Sequence, residues 1–378
     1  MPRLHLLLPA CALLGACGTD DTTPTAVPTS TTAMTRALPG VVVTATNGAS
    51  GNALLIFPRA ADGALGTPAQ VASGGMGTGA GLGNQAGLRL AGDGRFLLAI
   101  NAGSNSVSVF RTSATGATLV GTAPSGGLLP VSVAVHGSLV YVLHAGGSGN
   151  VTGFRLTRDG ALHPLAGSTR PLSGTATAPA QAGFSPDGRL LVVTERATNL
   201  IGVFRVRADG FLGDFVVAAS SGMTPFGFAF DPAGRLLVSE AFGGAPGASA
   251  LSSYQTGRGP SLATITASAG TTETAACWVE VTPDGRFAYV TNTGSGTVSG
   301  YGIAPDGAVA LLDADGVTGV TGAGPIDLAI TPDGRRVYTL NAAGATLSGF
   351  VVRSDGGLER LAGVAPSVPA GSNGLVAW

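Results

Sequence analysis

One hairpin, built on the turn Pro-Asp-Gly-Arg, returns again and again along this chain, and that repetition constrains the fold more than any other feature. In its fullest copy, Pro179 to Arg207, three short apolar runs are separated by two polar turns. The first run ends at Phe184. Pro186-Asp187-Gly188 reverses the chain into Leu190–Thr194, and the turn Arg196–Asn199 reverses it again into Leu200–Val206. Pro presets φ at a turn corner and Gly accepts positive φ, so each reversal has a mechanism. Further copies run Thr282–Asn292, Thr331–Asn341, Asp231–Glu240 and Gly92–Asn101, with a shortened one at Val135–His144. The period is roughly 45–50 residues, the range of four-stranded propeller blades.

The ends of the chain complete the pattern. Val41–Thr46 and Ala53–Phe57 read as the second and third strands of a blade with no first strand before them. Ser372–Trp378 has the form of a first strand with nothing after it. Pairing the two closes a ring and removes its open edges. The expectation is an all-β, seven-bladed β-propeller of four-stranded antiparallel blades over residues 39–378. The 61 glycines and 11% charged residues among 378 fit tight turns and buried strands rather than helices. A net charge of −1 gives no electrostatic reason to expect nucleic acid as a partner.

Residues 1–17 read as a targeting segment: Arg3 is followed by an apolar run, Leu4–Leu14, too short to span a bilayer. It closes on Leu14-Gly15-Ala16-Cys17, which resembles the bacterial lipoprotein signal and implies a lipidated Cys17. Residues 18–38 are Thr- and Pro-rich and read as a flexible tether. The expected location is the bacterial cell envelope, periplasmic or outward-facing, held to a membrane through the lipid alone. Cys277 then stands alone, so no internal disulfide is available.

Superposing the repeats yields two informative rings. The last position of each second strand reads Asn47, Asn101, His144, Glu195, Glu240, Asn292 and Asn341. Asn there caps the following turn. Three consecutive copies depart from it. Either His144, Glu195 and Glu240 converge as an acid–base or ligand set, or each caps its own loop. Arg196 follows Glu195 and is expected either to clamp an anionic group or to pair at the surface. The second ring lies in the first strands, where a small residue (Ala134, Gly183, Ala229, Ala329) is replaced by Arg89 in one copy and Glu280 in another. Buried charges demand partners, so these two are expected to pair across the channel or to face its water. Two residues earlier stand Ser132, Gln181, Trp278 and Asp327. Trp278 is expected near the channel mouth, as a stacking surface for a ring or as a core plug. The clear insertion is Ala241–Ser249, beside the departing residues. The Pro-Asp-Gly aspartates read as turn chemistry. The chain shows no Gly-x-Ser-x-Gly elbow, phosphate loop, His-Glu-x-x-His or Cys-x-x-Cys.

The blade pattern, with Tyr289-Val290-Thr291-Asn292 matching the signature of bacterial surface-repeat propellers, resembles the lactonase family of seven-bladed propellers. That family includes 6-phosphogluconolactonases and carboxymuconate lactonising enzymes. The resemblance implies a carboxylic ester hydrolase acting on a small lactone, with Glu195 or His144 as base and Arg196 stabilising the oxyanion. Pro179–Gly183 departs from phosphogluconolactonases in having no His. Glu240, Trp278, Glu280, Arg89 and Asn292 complete the candidate ligand-binding set. Two alternatives stand beside this. One is a non-catalytic envelope scaffold with a small-molecule or protein partner. The other is a calcium-dependent form using Glu195, Glu240 and Asn292; otherwise no cofactor or metal is expected. A monomer is expected.

Overall fold

The computed structural model describes residues 40–378. The targeting segment, Cys17 and the tether lie outside the described residues. Those described form seven antiparallel sheets, each of four strands in its main path. Blades 2 to 7 begin with the inner strands Leu88–Ala91, Pro130–His136, Pro179–Phe184, Pro225–Phe230, Ala276–Val281 and Pro325–Ile330. Blade 1 takes its inner strand from the other end of the chain. Asn373–Ala377 pairs with Gly40–Ala45, setting Val42 opposite Ala377 and Thr44 opposite Leu375. The closure expected from the two chain ends is the one observed.

The second strand of each blade is apolar on both faces because it lies between two neighbouring blades. Phe96–Asn101, Leu139–His144, Leu190–Glu195 and Phe287–Asn292 are buried at every position. The cores lie between sheets. Tyr141, Leu143 and Val131 of blade 3, for example, pack with Leu191, Val193 and Phe204 of blade 4. Tyrosine also staples one blade to the next. Tyr141 donates to the Gly210 carbonyl at 3.0 Å, Tyr289 to that of Gly356 at 2.7 Å and Tyr338 to that of Gly63 at 2.7 Å. The last of these crosses the closure from blade 7 to blade 1. Among the described residues no helix is long and apolar enough to cross a membrane.

The ring has two faces. Inner strands start on the face where second strands end, as in Pro130 opposite His144 and Pro179 opposite Glu195. We call this the loop face. The Pro-Asp-Gly turns occupy the other, the turn face.

Candidate functional site: the central channel

The loop-face ring is made of caps inside individual blades. Asn101, Asn292 and Asn341 are buried and donate to hydroxyls five and seven residues on. For Asn292 these are Thr297 at 3.0 Å and Ser299 at 2.8 Å. Asn47 caps differently, donating to the Ala80 carbonyl at 2.8 Å. Glutamate has no donor, so it gathers donors instead. The fully buried Glu240 carboxylate accepts from Ser252 and Ser268 at 2.6 Å each and from the Gly222 N–H at 2.8 Å. Glu195, equally buried, accepts from the Ser173 N–H at 3.0 Å, the Ser173 hydroxyl and Thr198 at 2.9 Å. The His144 ring is fully buried against Gly127, with both nitrogens short of a well-formed hydrogen bond. Burial pushes its pKa down to about 4. The three departures from Asn share no hydrogen bond or ion pair. Each is enclosed by its own blade and the loop leading into it.

Arg196 donates Nε to the Ala178 carbonyl at 3.1 Å, and its guanidinium lies 5.1 Å from the Phe226 ring centre. Phe226 in turn packs against Trp278, with ring centres 4.9 Å apart. Trp278 is buried and donates to the Asn84 carbonyl at 2.8 Å, so it is a core residue of the loop face rather than an exposed stacking surface. Beside it Cys277 is buried, its thiol pushed up to about 12 by burial. No group of three or more His, Cys, Asp or Glu that could hold a metal ion occurs among the described residues.

The second ring does come together. Register places Arg89 opposite Leu98, Glu280 opposite Tyr289, Ala329 opposite Tyr338 and Leu375 opposite Thr44, each three residues before the ring position of its blade. Small residues elsewhere at this depth leave space. A cavity of about 300 Å³ is lined by Gln85, Arg89, Glu280, Asp327, Ile330 and Leu375. A second, of about 260 Å³, shares Arg89 and Glu280 and reaches His136, Phe184 and Ser185 at the turn face. Arg89 is solvent-exposed and makes no ion pair with Glu280, so of the two expectations the facing-water one describes the geometry. Their blades, 2 and 6, stand nearly opposite one another around the ring.

Two carboxyls share this space. Glu280 is half-buried; desolvation pushes its pKa up, against the pull of Arg89 and Gln85. Asp327 is 4% exposed. Its pKa is raised well above the ordinary Asp value, first by burial and then by the Glu280 charge. Both carboxyls are thus pushed toward the protonated form, since burial and a neighbouring like charge each oppose ionisation.

The loop-face end of the channel is closed by a segment the repeat pattern does not announce. Between the last strand of blade 1 and the first of blade 2, residues 73–87 pass over the axis. Asn84 exchanges an amide hydrogen bond with Asn373 of blade 1 at 2.7 Å, and its Nδ2 reaches the Val131 carbonyl of blade 3. The Gln85 N–H donates to Ala180 of blade 4 at 3.1 Å, and the Ala86 carbonyl accepts from Val133 of blade 3 at 2.9 Å. The available signal was a glycine-rich run ending in Asn-Gln immediately before an inner strand, with no counterpart in the other copies. The channel is therefore a blind cup, open on the turn face, with its charged residues partway down. It lies away from the face that carries Glu195 and Glu240.

Seven four-stranded antiparallel blades around a channel with charged residues in its wall define a seven-bladed β-propeller. The family model described as lactonase, 7-bladed beta-propeller, matches residues 54–176, 148–241 and 250–378, and the chain belongs to that family. Among curated protein sequences none matches. Solved structures give the same fold. A putative 6-phosphogluconolactonase from Bacteroides uniformis is 21% identical with a TM-score of 0.72, covering 91% of this chain and 100% of its own. One from Bacteroides fragilis is 20% identical with a TM-score of 0.66, covering 89% and 98%. A periplasmic gluconolactonase from Pseudomonas aeruginosa is 18% identical with a TM-score of 0.67, covering 89% and 99%.

Proposed function

We propose that this protein hydrolyses a small cyclic ester in the channel cup. The observation that carries the reading is the meeting of Arg89, Glu280 and Asp327 in one cavity of about 300 Å³, a volume suited to one sugar-sized ring. In this reading the Glu280 carboxylate takes a proton from water as the water oxygen bonds to the lactone carbonyl carbon. The Arg89 guanidinium stabilises the oxyanion that forms. Collapse of the tetrahedral intermediate breaks the ring C–O bond, and the Asp327 carboxylic acid gives its proton to the departing alkoxide. The product is an open hydroxy acid. Glu280 now holds the proton that Asp327 lost, and transfer between the two restores the starting state. Family membership supports the reaction class. The targeting segment Met1–Cys17 supports a site of action outside the cytoplasm, within the same proposal.

The test is hydrolysis of a panel of five- and six-membered lactones by the protein and by Glu280→Gln, which keeps shape and removes the base. A loss of about 10²-fold or more in kcat/KM is expected. An undiminished rate in the variant refutes the assignment.

A non-catalytic envelope-binding propeller has one observation in its favour: Leu128 and Met223, in loop-face connections, are 58% and 55% exposed. Inertness toward every lactone, with saturable capture of an envelope partner lost in Leu128→Ser, would favour it.

A further inference from the structure

We propose that Gln85 is a positioning residue for Glu280: from the closed end of the channel it splints the main chain that carries that carboxyl. The inference rests on the reading of Glu280 as the reacting base. An inner strand is the edge of its blade. Alternate main-chain N–H and C=O groups therefore face the axis without a strand partner, and a buried unpaired peptide group costs about 1–3 kcal/mol. Val279 is such a residue. It pairs across its blade with Val290, and its own N–H and C=O point into the channel. Gln85 meets both with one side-chain amide. Nε2 donates to the Val279 carbonyl at 2.8 Å, and Oε1 accepts from the Val279 N–H at 3.1 Å. The amide thus does for this strand what a neighbouring strand would do, one residue before Glu280.

The splint is itself anchored. Gln85 is buried, and its own N–H is tied to Ala180. Blade 5 makes way for it, since a Cβ on Gly227 would stand 2.0 Å from Oε1. Blade 5 shows the same device without a reacting group: Gln181 donates to the Phe228 carbonyl at 2.9 Å and accepts from the Phe228 N–H at 2.7 Å. What distinguishes Gln85 is its second neighbour. Gln85 and Glu280 line the same cavity, and the amide there opposes the burial that pushes the carboxyl's pKa up. The other charged or titratable groups around that carboxyl are Arg89, Asp327 and, across the second cavity, His136.

The experiment is a carbon-13 NMR titration of glutamate carboxyls in the full chain, which has five glutamates, with Glu280 identified by its loss in Glu280→Gln. Wild type is compared with Gln85→Met, which fills the space without hydrogen bonds, and with Gln85→Glu, which keeps the acceptor and adds a like charge. In both variants the Glu280 midpoint should move to higher pH, further in Gln85→Glu, and the acid limb of kcat/KM should follow it. A purely structural role would lower the melting temperature and leave the midpoint in place, and that result overturns the proposal. If Gln85→Met fails to fold, Gln85→Glu decides alone. A shifted midpoint in a protein without lactonase activity would sink the hydrolase reading and leave the positioning role standing.

Discussion

Gly227 and Gln85 lie so close that a Cβ on the glycine would stand 2.0 Å from Gln85 Oε1 and 2.5 Å from the Cys277 carbonyl. The absence of a side chain on blade 5 is therefore a condition for the amide on the crossing segment to reach blade 6. Gly227→Ala must displace the splint or the inner strand. Overpacking of this kind costs about 1–3 kcal/mol. Thermal or urea unfolding of Gly227→Ala should show that loss, whereas Gly234→Ala, with nothing within 4 Å of a Cβ, should lose only what its positive φ of 84° imposes.

His144 makes stability depend on pH. Its folded pKa of about 4 lies below the ordinary histidine value of 6.5, so as pH falls the unfolded chain takes up the proton first. Stability from this group is complete above 6.5 and is lost progressively as pH falls toward 4. At about 1.4 kcal/mol per pH unit the total is about 3 kcal/mol. His144→Asn, which restores the residue found in four of the other copies, should flatten this part of the stability profile between pH 7 and 4.

The Pro-Asp-Gly family of turns contains one pair unlike the rest. Asp231 and Arg235 are bonded at 2.5 Å with side chains 0% and 11% exposed, while Asp284 and Arg286 at 2.8 Å are about half exposed. Removing one partner of the buried pair strands the other. Asp231→Ala should cost about 3 kcal/mol and Asp284→Ala less than about 1 kcal/mol, measured by denaturant unfolding.

Ring closure has its own checkpoint in the hydroxyl of Tyr338, which reaches Gly63 across the blade 7 to blade 1 junction. Tyr338→Phe leaves the ring in place and removes the bond. It should cost about 1 kcal/mol, lowering the midpoint of unfolding without changing its denaturant slope.

In the proposed hydrolysis Arg89 should matter to catalysis more than to folding, because this exposed residue lines the channel cavity and makes no ion pair with Glu280. Arg89→Met is expected to lower kcat/KM on a reactive lactone by about 10²-fold, while the melting temperature stays near wild type. Equal losses in both readouts would show a structural role instead.

The blades, their order and their closure were legible in the sequence because each rests on local chemistry that repeats: a turn residue of fixed φ, an alternating run, another turn. The two charged departures of the inner ring were legible for the same reason, since superposed copies place Arg89 and Glu280 at one depth. The grouping of His144, Glu195 and Glu240 shows the limit. Adjacent blades bring equivalent positions near one another, but whether side chains meet depends on where their hydrogen bonds go. Ser173 and Ser268 turn the two carboxylates inward, and nothing in the repeated hairpin encodes those partners.

What the sequence determined by itself is thus the seven-bladed ring and the level of the charges in its wall, both consequences of a period short enough to be read locally. What only tertiary structure decided is which end of the channel is open and which groups meet inside it. Asn84 and Gln85 close the loop-face end through contacts with residues as distant along the chain as Val279 and Asn373. Asp327 joins Glu280 because neighbouring inner strands converge on the axis. Contacts of that sequence separation leave no periodic trace, because a single segment makes them once.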